Sequence, residues 1–232
     1  MNKNNKRNLI IILARKGTKN ITRQNIRLVN GKPLIYYIIK KCQEVKIADI
    51  FISTDSDEIK ELSELYGIKW IDRPKLLTKN NTSIEKIVYN SLIQLKEKNL
   101  NYEKCLILNP HYPLIKISTI KKFFSELNNK KEIIFGFQND NETKYIKIEK
   151  NKRIKSLDKN IAEQRKILSL NCNSFLSKKK FSNAKYGIEL EKSEKFSPNS
   201  YHDFGILENI LDRKKILVRV DGSKLIGLGH VY

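Results

Sequence analysis

The chain has 232 residues, of which 40% are apolar and 9% aromatic. That is enough to bury the core of one ample domain, and it excludes a disordered or collagen-like chain. Lysine and arginine number 46 against 25 acidic residues, a formal charge of +21 that favours an anionic ligand. Lys and Asn recur everywhere, however, as in Asn2-Lys3-Asn4-Asn5-Lys6 and Lys178-Lys179-Lys180, so the excess reads as compositional habit and argues for no specific nucleic-acid site.

Residues 9–14 form a continuous aliphatic run, as a parallel strand covered on both faces requires. The run is too short for a secretory signal and breaks on Arg15-Lys16. No apolar stretch approaches the roughly 20 residues of a membrane span, so a cytoplasmic protein is expected. A polar loop follows over residues 15–25, and Asn30-Gly31 makes a turn. Pro33 opens a helix with Ile35, Ile38, Ile39 and Cys42 at helical spacing.

Residues 49–53 read as a second strand, 56–66 as a helix ended by Gly67, and 68–71 as a third strand. Thr82 with Glu85 has the form of a capping box, opening a helix with Ile84, Ile87, Val88 and Leu95 on one face. Residues 105–108 form a fourth strand, Ser118 is expected to cap a helix to about residue 127, and 133–137 form a fifth strand. Residues 144–148 and 153–157 pair as a hairpin across Asn151-Lys152, projecting from the sheet. A last helix spans 203–211, and 215–220 read as a fresh strand. Cys42, Cys105 and Cys172 are too few and too scattered for a disulfide framework or a paired zinc site; Cys42 and Cys105 read as buried hydrophobes of a reducing compartment.

The alternation of strands and helices predicts an α/β fold: a three-layer, Rossmann-like, open and mostly parallel sheet. Ligands of such sheets bind at the carboxyl ends of the strands, which points to the loops 15–25, 54–57 and 109–113. The first carries Arg15, Lys16, Lys19, Arg23 and Arg27 around Gly17-Thr18, the cations, amides and hydroxyl that a triphosphate needs. Neither a P-loop nor a Gly-x-Gly-x-x-Gly motif is present. Asp55 reads as either a helix cap or a metal aid, His111 as a space-filling loop residue with a proton carrier as the alternative, and His202 as a surface or capping residue.

Several of these segments resemble one family. Ile11-Ile12-Leu13-Ala14-Arg15-Lys16-Gly17-Thr18-Lys19, then Arg23-Gln24-Asn25-Ile26-Arg27, then Asn30-Gly31-Lys32-Pro33-Leu34 are similar to the opening of CMP-sialic acid synthetases, the cytidylyltransferases that activate nonulosonic acids. Ser53-Thr54-Asp55-Ser56-Asp57-Glu58-Ile59, Arg73-Pro74, Ser83 and Leu108-Asn109-Pro110-His111-Tyr112-Pro113-Leu114 follow in the family's order, over roughly residues 8–211. The resemblance implies the nucleotide-diphosphosugar transferase fold, with the projecting hairpin as a dimerisation segment, and a homodimer that uses Mg2+. It implies attack of a sugar's anomeric hydroxyl on the α-phosphate of CTP, with pyrophosphate released.

By the same resemblance Arg15 and Lys19 are catalytic and hold the phosphates. Ala14, Gly17, Thr18, Asn25, Ser83 and Asn109 contact the nucleotide, with Asn25 at the cytosine edge. Arg73, His111 and Arg165 serve the acidic nine-carbon sugar. The chain departs from the family's pattern at named positions. Ser197 and Asn199 stand where acidic metal ligands are expected, ahead of a matching Asp203. Gln24 replaces a basic residue, Asn109 a Gln, His111-Tyr112 two small hydroxyl residues, and Asn171-Cys172-Asn173 an Asn-Gly-Ala turn.

Arg219-Val220-Asp221-Gly222-Ser223 with Ile226-Gly227-Leu228-Gly229-His230-Val231 resembles the first strand and loop of hydrolases of UDP-linked diacetamido-trideoxy sugars in pseudaminic acid biosynthesis. The expected organisation is a cytidylyltransferase-like domain over 1–212 and the start of a hydrolase-like domain over 213–232. Two functions stay open at this point: a CTP-dependent nonulosonate cytidylyltransferase, or a degenerate binding or dimerisation module of a fusion. The partners expected are CTP, a nonulosonic acid and a second copy of the chain, with no specific nucleic acid and no membrane.

Overall fold

The computed structural model describes residues 7–17, 21–128, 131–137, 146–148, 154–156, 167–181 and 186–216. In chain order they form β1 (Asn8–Leu13), β2 (Leu28–Val29), β3 (Lys32–Pro33), α1 (Leu34–Val45), β4 (Asp49–Thr54), α2 (Asp57–Leu65) and β5 (Lys69–Asp72). Then come α3 (Ile84–Glu97), β6 (Lys104–Leu108), α4 (Ile117–Glu126), β7 (Ile133–Phe137), β8 (Ile146–Ile148) and β9 (Ile154–Ser156). The last are β10 (Leu168–Asn171), α5 (Cys172–Lys178), β11 (Tyr186–Glu189) and α6 (Tyr201–Ile216).

Among the described residues seven strands make the central sheet, in the order β11-β7-β10-β6-β1-β4-β5. β1 lies parallel to β4 and β6, β4 to β5 and β7 to β11; β10 runs antiparallel between β6 and β7. The pleat of β1 divides its aliphatic run between two cores. Ile10 and Ile12 face α1, α2 and α4 with Ile38, Ile59 and Phe123, while Leu9 and Ile11 face α3 and α5 with Val88, Leu92 and Phe175. All four β1 residues are fully buried, each contributing about 1.5–3 kcal/mol of hydrophobic stabilisation. The expected three-layer, mostly parallel sheet is therefore present.

A third cluster holds the last helix in place. Phe204 and Leu207 of α6 pack on Ile21, Val29, Leu34 and Leu114. Val29 belongs to the β2–β3 hairpin, whose Asn30-Gly31 turn has φ of 46° and 72°, the pair of left-handed residues a tight hairpin needs. β8 and β9 pair antiparallel as a separate ribbon, as their alternation indicates. Among the described residues no helix is long and apolar enough to cross a membrane.

Four local expectations are corrected. Helix α3 starts at Ile84 with Ser83 at its N-cap and no side-chain cap bond, so Thr82 is not the cap. Helix α4 is capped at Lys116, not Ser118; the Lys116 amide donates to the buried Glu194 carboxylate at 2.8 Å, a partner that local sequence cannot reveal. β10, α5 and β11 were not anticipated; within β10 the polar Ser169 is fully buried, and its hydroxyl donates to the Phe123 carbonyl at 3.2 Å. Lys215 and Ile216 are helical, so no strand begins at 215: α6 meets no Gly or Pro across residues 211–216 and its ladder propagates. Residues 217–232, with the hydrolase-like motif, lie outside the described residues.

Candidate active site

A cavity of about 290 Å³ opens at the carboxyl ends of β1, β5 and β6. It is lined by Leu13, Arg15, Gln24 and Asn25 from the first strand and its loop, and by Asn109 and His111 from the loop after β6. Arg73 and five residues of the following loop and α3 start (Leu77, Thr78, Lys79, Asn80 and Thr82) complete one wall with Ile84 and Ile87, and Asn199 closes the mouth.

The first loop distributes its cations unequally. Arg15 lines the cavity, its Nη1 donating to the Thr78 carbonyl at 3.2 Å and so tying the β1 loop to the β5 loop. Lys16 is exposed, and its amide donates to Asp55 Oδ1 at 2.8 Å. Arg23 pairs with Glu58 at 2.7 Å, and the Arg27 guanidinium lies 4.3 Å from the centre of the Tyr201 ring. The expectation of a shared phosphate cradle therefore reduces, among the described residues, to Arg15; Thr18 and Lys19 lie outside them, as does Arg165. Asp55 is not the cap: Ser56 is the N-cap of α2, and Asp55 anchors the first loop.

Asn25 is buried to 4% exposure. Its Nδ2 donates to the Arg15 carbonyl at 2.8 Å, and its Oδ1 is buried with no partner among the described residues. A buried acceptor left unpaired costs about 1–3 kcal/mol, a debt that a ligand donor removes. Gln24, also buried, donates from Nε2 to the Pro198 carbonyl at 2.5 Å.

Arg73 is the buried cation. Its Nη2 donates to the Ser53 carbonyl at 2.7 Å and its Nε to Ser53 Oγ at 3.3 Å, while Ser91 Oγ backs the same hydroxyl at 3.4 Å. Burial lowers the Arg73 pKa to about 10, with Asp55 opposing and Arg15 adding to the shift; the group stays charged at neutral pH. Its hydrogen-bond acceptors among the described residues are neutral, so its charge suits a phosphate or carboxylate in the cavity. Beyond β6, Asn109 Oδ1 accepts the His111 amide at 2.9 Å, which folds the loop so that both residues line the cavity. Tyr112, beside them, is buried, and desolvation pushes its phenol up to about 12.

The remaining expected residues fall nearby. Ala14 is fully buried, its amide on the Ser53 carbonyl at 3.1 Å, and Ser83 precedes α3 next to the lining Thr82; neither lines the cavity itself, and nor does Gly17. His202 is exposed on the first turn of α6. Sequence reasoning missed the lining role of Thr78, Lys79, Asn80 and Thr82. The signal available was a polar run directly downstream of Arg73-Pro74, at the end of a strand.

The segment expected to hold metal does not suit a divalent cation. Hard Mg2+ wants charged oxygen ligands. Ser197 Oγ is neutral, buried and without a partner among the described residues, the Ser197 carbonyl accepts Asn199 Nδ2 at 3.0 Å, and the Pro198 carbonyl is occupied by Gln24. Among the described residues no group of three or more His, Cys, Asp or Glu side chains is arranged to hold a metal ion.

The chain resembles known proteins in sequence and in fold. A model of the cytidylyltransferase family matches residues 9–217. Pseudaminic acid cytidylyltransferase of Campylobacter jejuni is 30% identical over 167 residues, covering 66% of this chain and 72% of that protein. CMP-N,N'-diacetyllegionaminic acid synthase of Legionella pneumophila is 31% identical over 116 residues, 49% of this chain and 50% of that one. A solved structure of CMP:2-keto-3-deoxy-manno-octonic acid synthetase complexed with CTP shares the fold, with a TM-score of 0.71 over 90% of this chain and 99% of that chain at 11% identity.

Proposed function

The chain belongs to the cytidylyltransferase family, and from that premise we propose that it activates a nonulosonic acid of the pseudaminic or legionaminic type with CTP. The anomeric hydroxyl oxygen of the sugar forms a bond to the α-phosphorus of CTP. The bond from that phosphorus to the bridging oxygen breaks, the hydroxyl proton is lost to water, and pyrophosphate leaves. The names of the Campylobacter and Legionella relatives support the sugar class.

The observation that carries the reading is the unpartnered Asn25 Oδ1 in a cationic cavity at the strand ends. An acceptor at that point pairs with the exocyclic amino group of cytosine and faces the carbonyl of uracil unfavourably. Arg15, and Lys19 by resemblance, would neutralise the phosphates, where preorganised positive charge favours the charge-separated transition state. Arg73 suits the sugar carboxylate. No step is assigned to a metal, because Ser197 and Asn199 supply no charge.

A homodimer and a cytoplasmic location are part of the proposal. Sedimentation velocity tests the first and fractionation of the source cells the second. The reaction is tested by calorimetric titration with CTP, UTP and GTP, followed by pyrophosphate release with pseudaminic and legionaminic acids. Selective CTP binding with release of pyrophosphate supports the transferase. A second reading, a nucleotide-binding module without turnover, draws on the neutral Ser197–Asn199 segment; selective CTP binding with no release from either sugar favours it.

A further inference from the structure

The lining of the cavity is unbalanced in charge. Arg15, Arg73 and Lys79 contribute three cations, and no Asp or Glu is among the described lining residues. Two carboxylates on adjoining segments are engaged by backbone amides. Asp55 Oδ1 accepts the Lys16 amide, and Asp203 Oδ2 accepts the Asn199 and Ser200 amides at 2.8 Å each.

Two segments meet at the mouth without a formal charge between them. The neutral Gln24 amide donates to the Pro198 carbonyl, and the side chains flanking that carbonyl are the neutral Ser197 and Asn199. A cation arriving here meets only neutral side-chain oxygens, the buried Ser197 Oγ and the amide oxygen of the exposed Asn199, and no carboxylate among the described lining residues to replace its water.

We propose that this site binds its nucleoside triphosphate as the metal-free polyanion in preference to the magnesium complex; the proposal rests on the nucleotide reading above. Mg2+ cancels two of the roughly four negative charges of the triphosphate, which weakens its attraction to the three cations. In a site with a carboxylate pair, metal coordination more than restores that loss. Here nothing restores it, so the guanidinium groups do the neutralising that a protein-held metal does elsewhere.

The test is calorimetric titration of the full chain with CTP in EDTA and in excess MgCl2 at matched ionic strength, with GTP as control. Binding roughly fivefold or more tighter in EDTA is expected. Equal binding, or tighter binding with Mg2+, overturns the proposal while leaving CTP selectivity, and so the nucleotide reading, intact. No binding of CTP in either buffer, or equal binding of GTP, overturns both. Asn199→Asp, at an exposed position, and the double variant S197D/N199D supply the second arm. Each should shift the preference toward Mg2+, the double variant more, and thermal melts check that they are folded. An unchanged preference in a folded Asn199→Asp protein overturns the assignment of metal indifference to this segment.

Discussion

The Asn25 side-chain amide donates to the Arg15 carbonyl at 2.8 Å, which turns the other end of the same amide into a buried acceptor with no partner among the described residues. One bond thus fixes both the path of the first loop and which end of the Asn25 amide is left as the acceptor. Asn25→Ala removes both. CTP affinity is expected to fall about 10- to 100-fold, and the preference over UTP to collapse, on the scale of a lost buried hydrogen bond. Parallel titrations of CTP and UTP measure it, and a loss shared equally by the two nucleotides would show that Asn25 does not read the base.

Charge location, not total charge, should govern phosphate binding. Arg15 lines the cavity, whereas Lys180 is exposed on the loop after α5. Arg15→Ala is expected to weaken CTP binding at least tenfold, the scale of a lost charge-assisted contact, and Lys180→Ala by less than about twofold. Equal losses at moderate salt would assign the ligand to the general field of a chain with net charge +21.

Arg73 is expected to tolerate lysine poorly. Two separate nitrogens of its planar guanidinium reach the Ser53 carbonyl and hydroxyl, a fork that a single ammonium cannot reproduce. Arg73→Lys should lower stability by about 1–3 kcal/mol and raise KM for the sugar acid more than for CTP. Denaturant unfolding and separate KM measurements for the two substrates check both parts.

The N-terminus of α6 should confer an acid-sensitive contribution to stability. The Asn199 amide, followed by the Ser200 side chain and amide, holds the Asp203 carboxyl below its usual range. A depressed folded pKa means that the stabilisation is present above the unfolded value of about 3.9 and is lost as pH falls through the folded value. Asp203→Asn is therefore expected to lower Tm by roughly 2–4 °C at neutral pH, with the difference from wild type starting to shrink as pH falls below about 4 and vanishing only below the depressed folded value. Melts across pH 3–8 would reveal a constant gap if Asp203 acts by packing alone.

Much of the frame was legible from residue patterns because each pattern reports a local physical requirement. The aliphatic run of β1 can only be satisfied by burial on both faces. The spacing of Ile35, Ile38, Ile39 and Cys42 places them on one helical stripe, and all four are buried. Asn30-Gly31 and Gly67 stand where positive φ is needed. β10 escaped notice because Ser169 is buried at no loss once the Phe123 carbonyl accepts its hydroxyl, and that carbonyl lies 46 residues away. The Lys116 cap escaped because its partner, Glu194, is 78 residues away.

The sequence by itself determined the α/β alternation, the basic loop after the first strand and the family to which the chain belongs. These depend on periodicities and short motifs whose geometry the backbone enforces locally. Only the tertiary structure decided which cations face the cavity, sending Arg23 to Glu58 and Arg27 to Tyr201 while keeping Arg15 and Arg73 at the site. It also joined Gln24 to Pro198, 174 residues apart, and so gave the cavity mouth its neutral character. Such pairings depend on where packed elements bring distant segments together, and no local pattern carries that information.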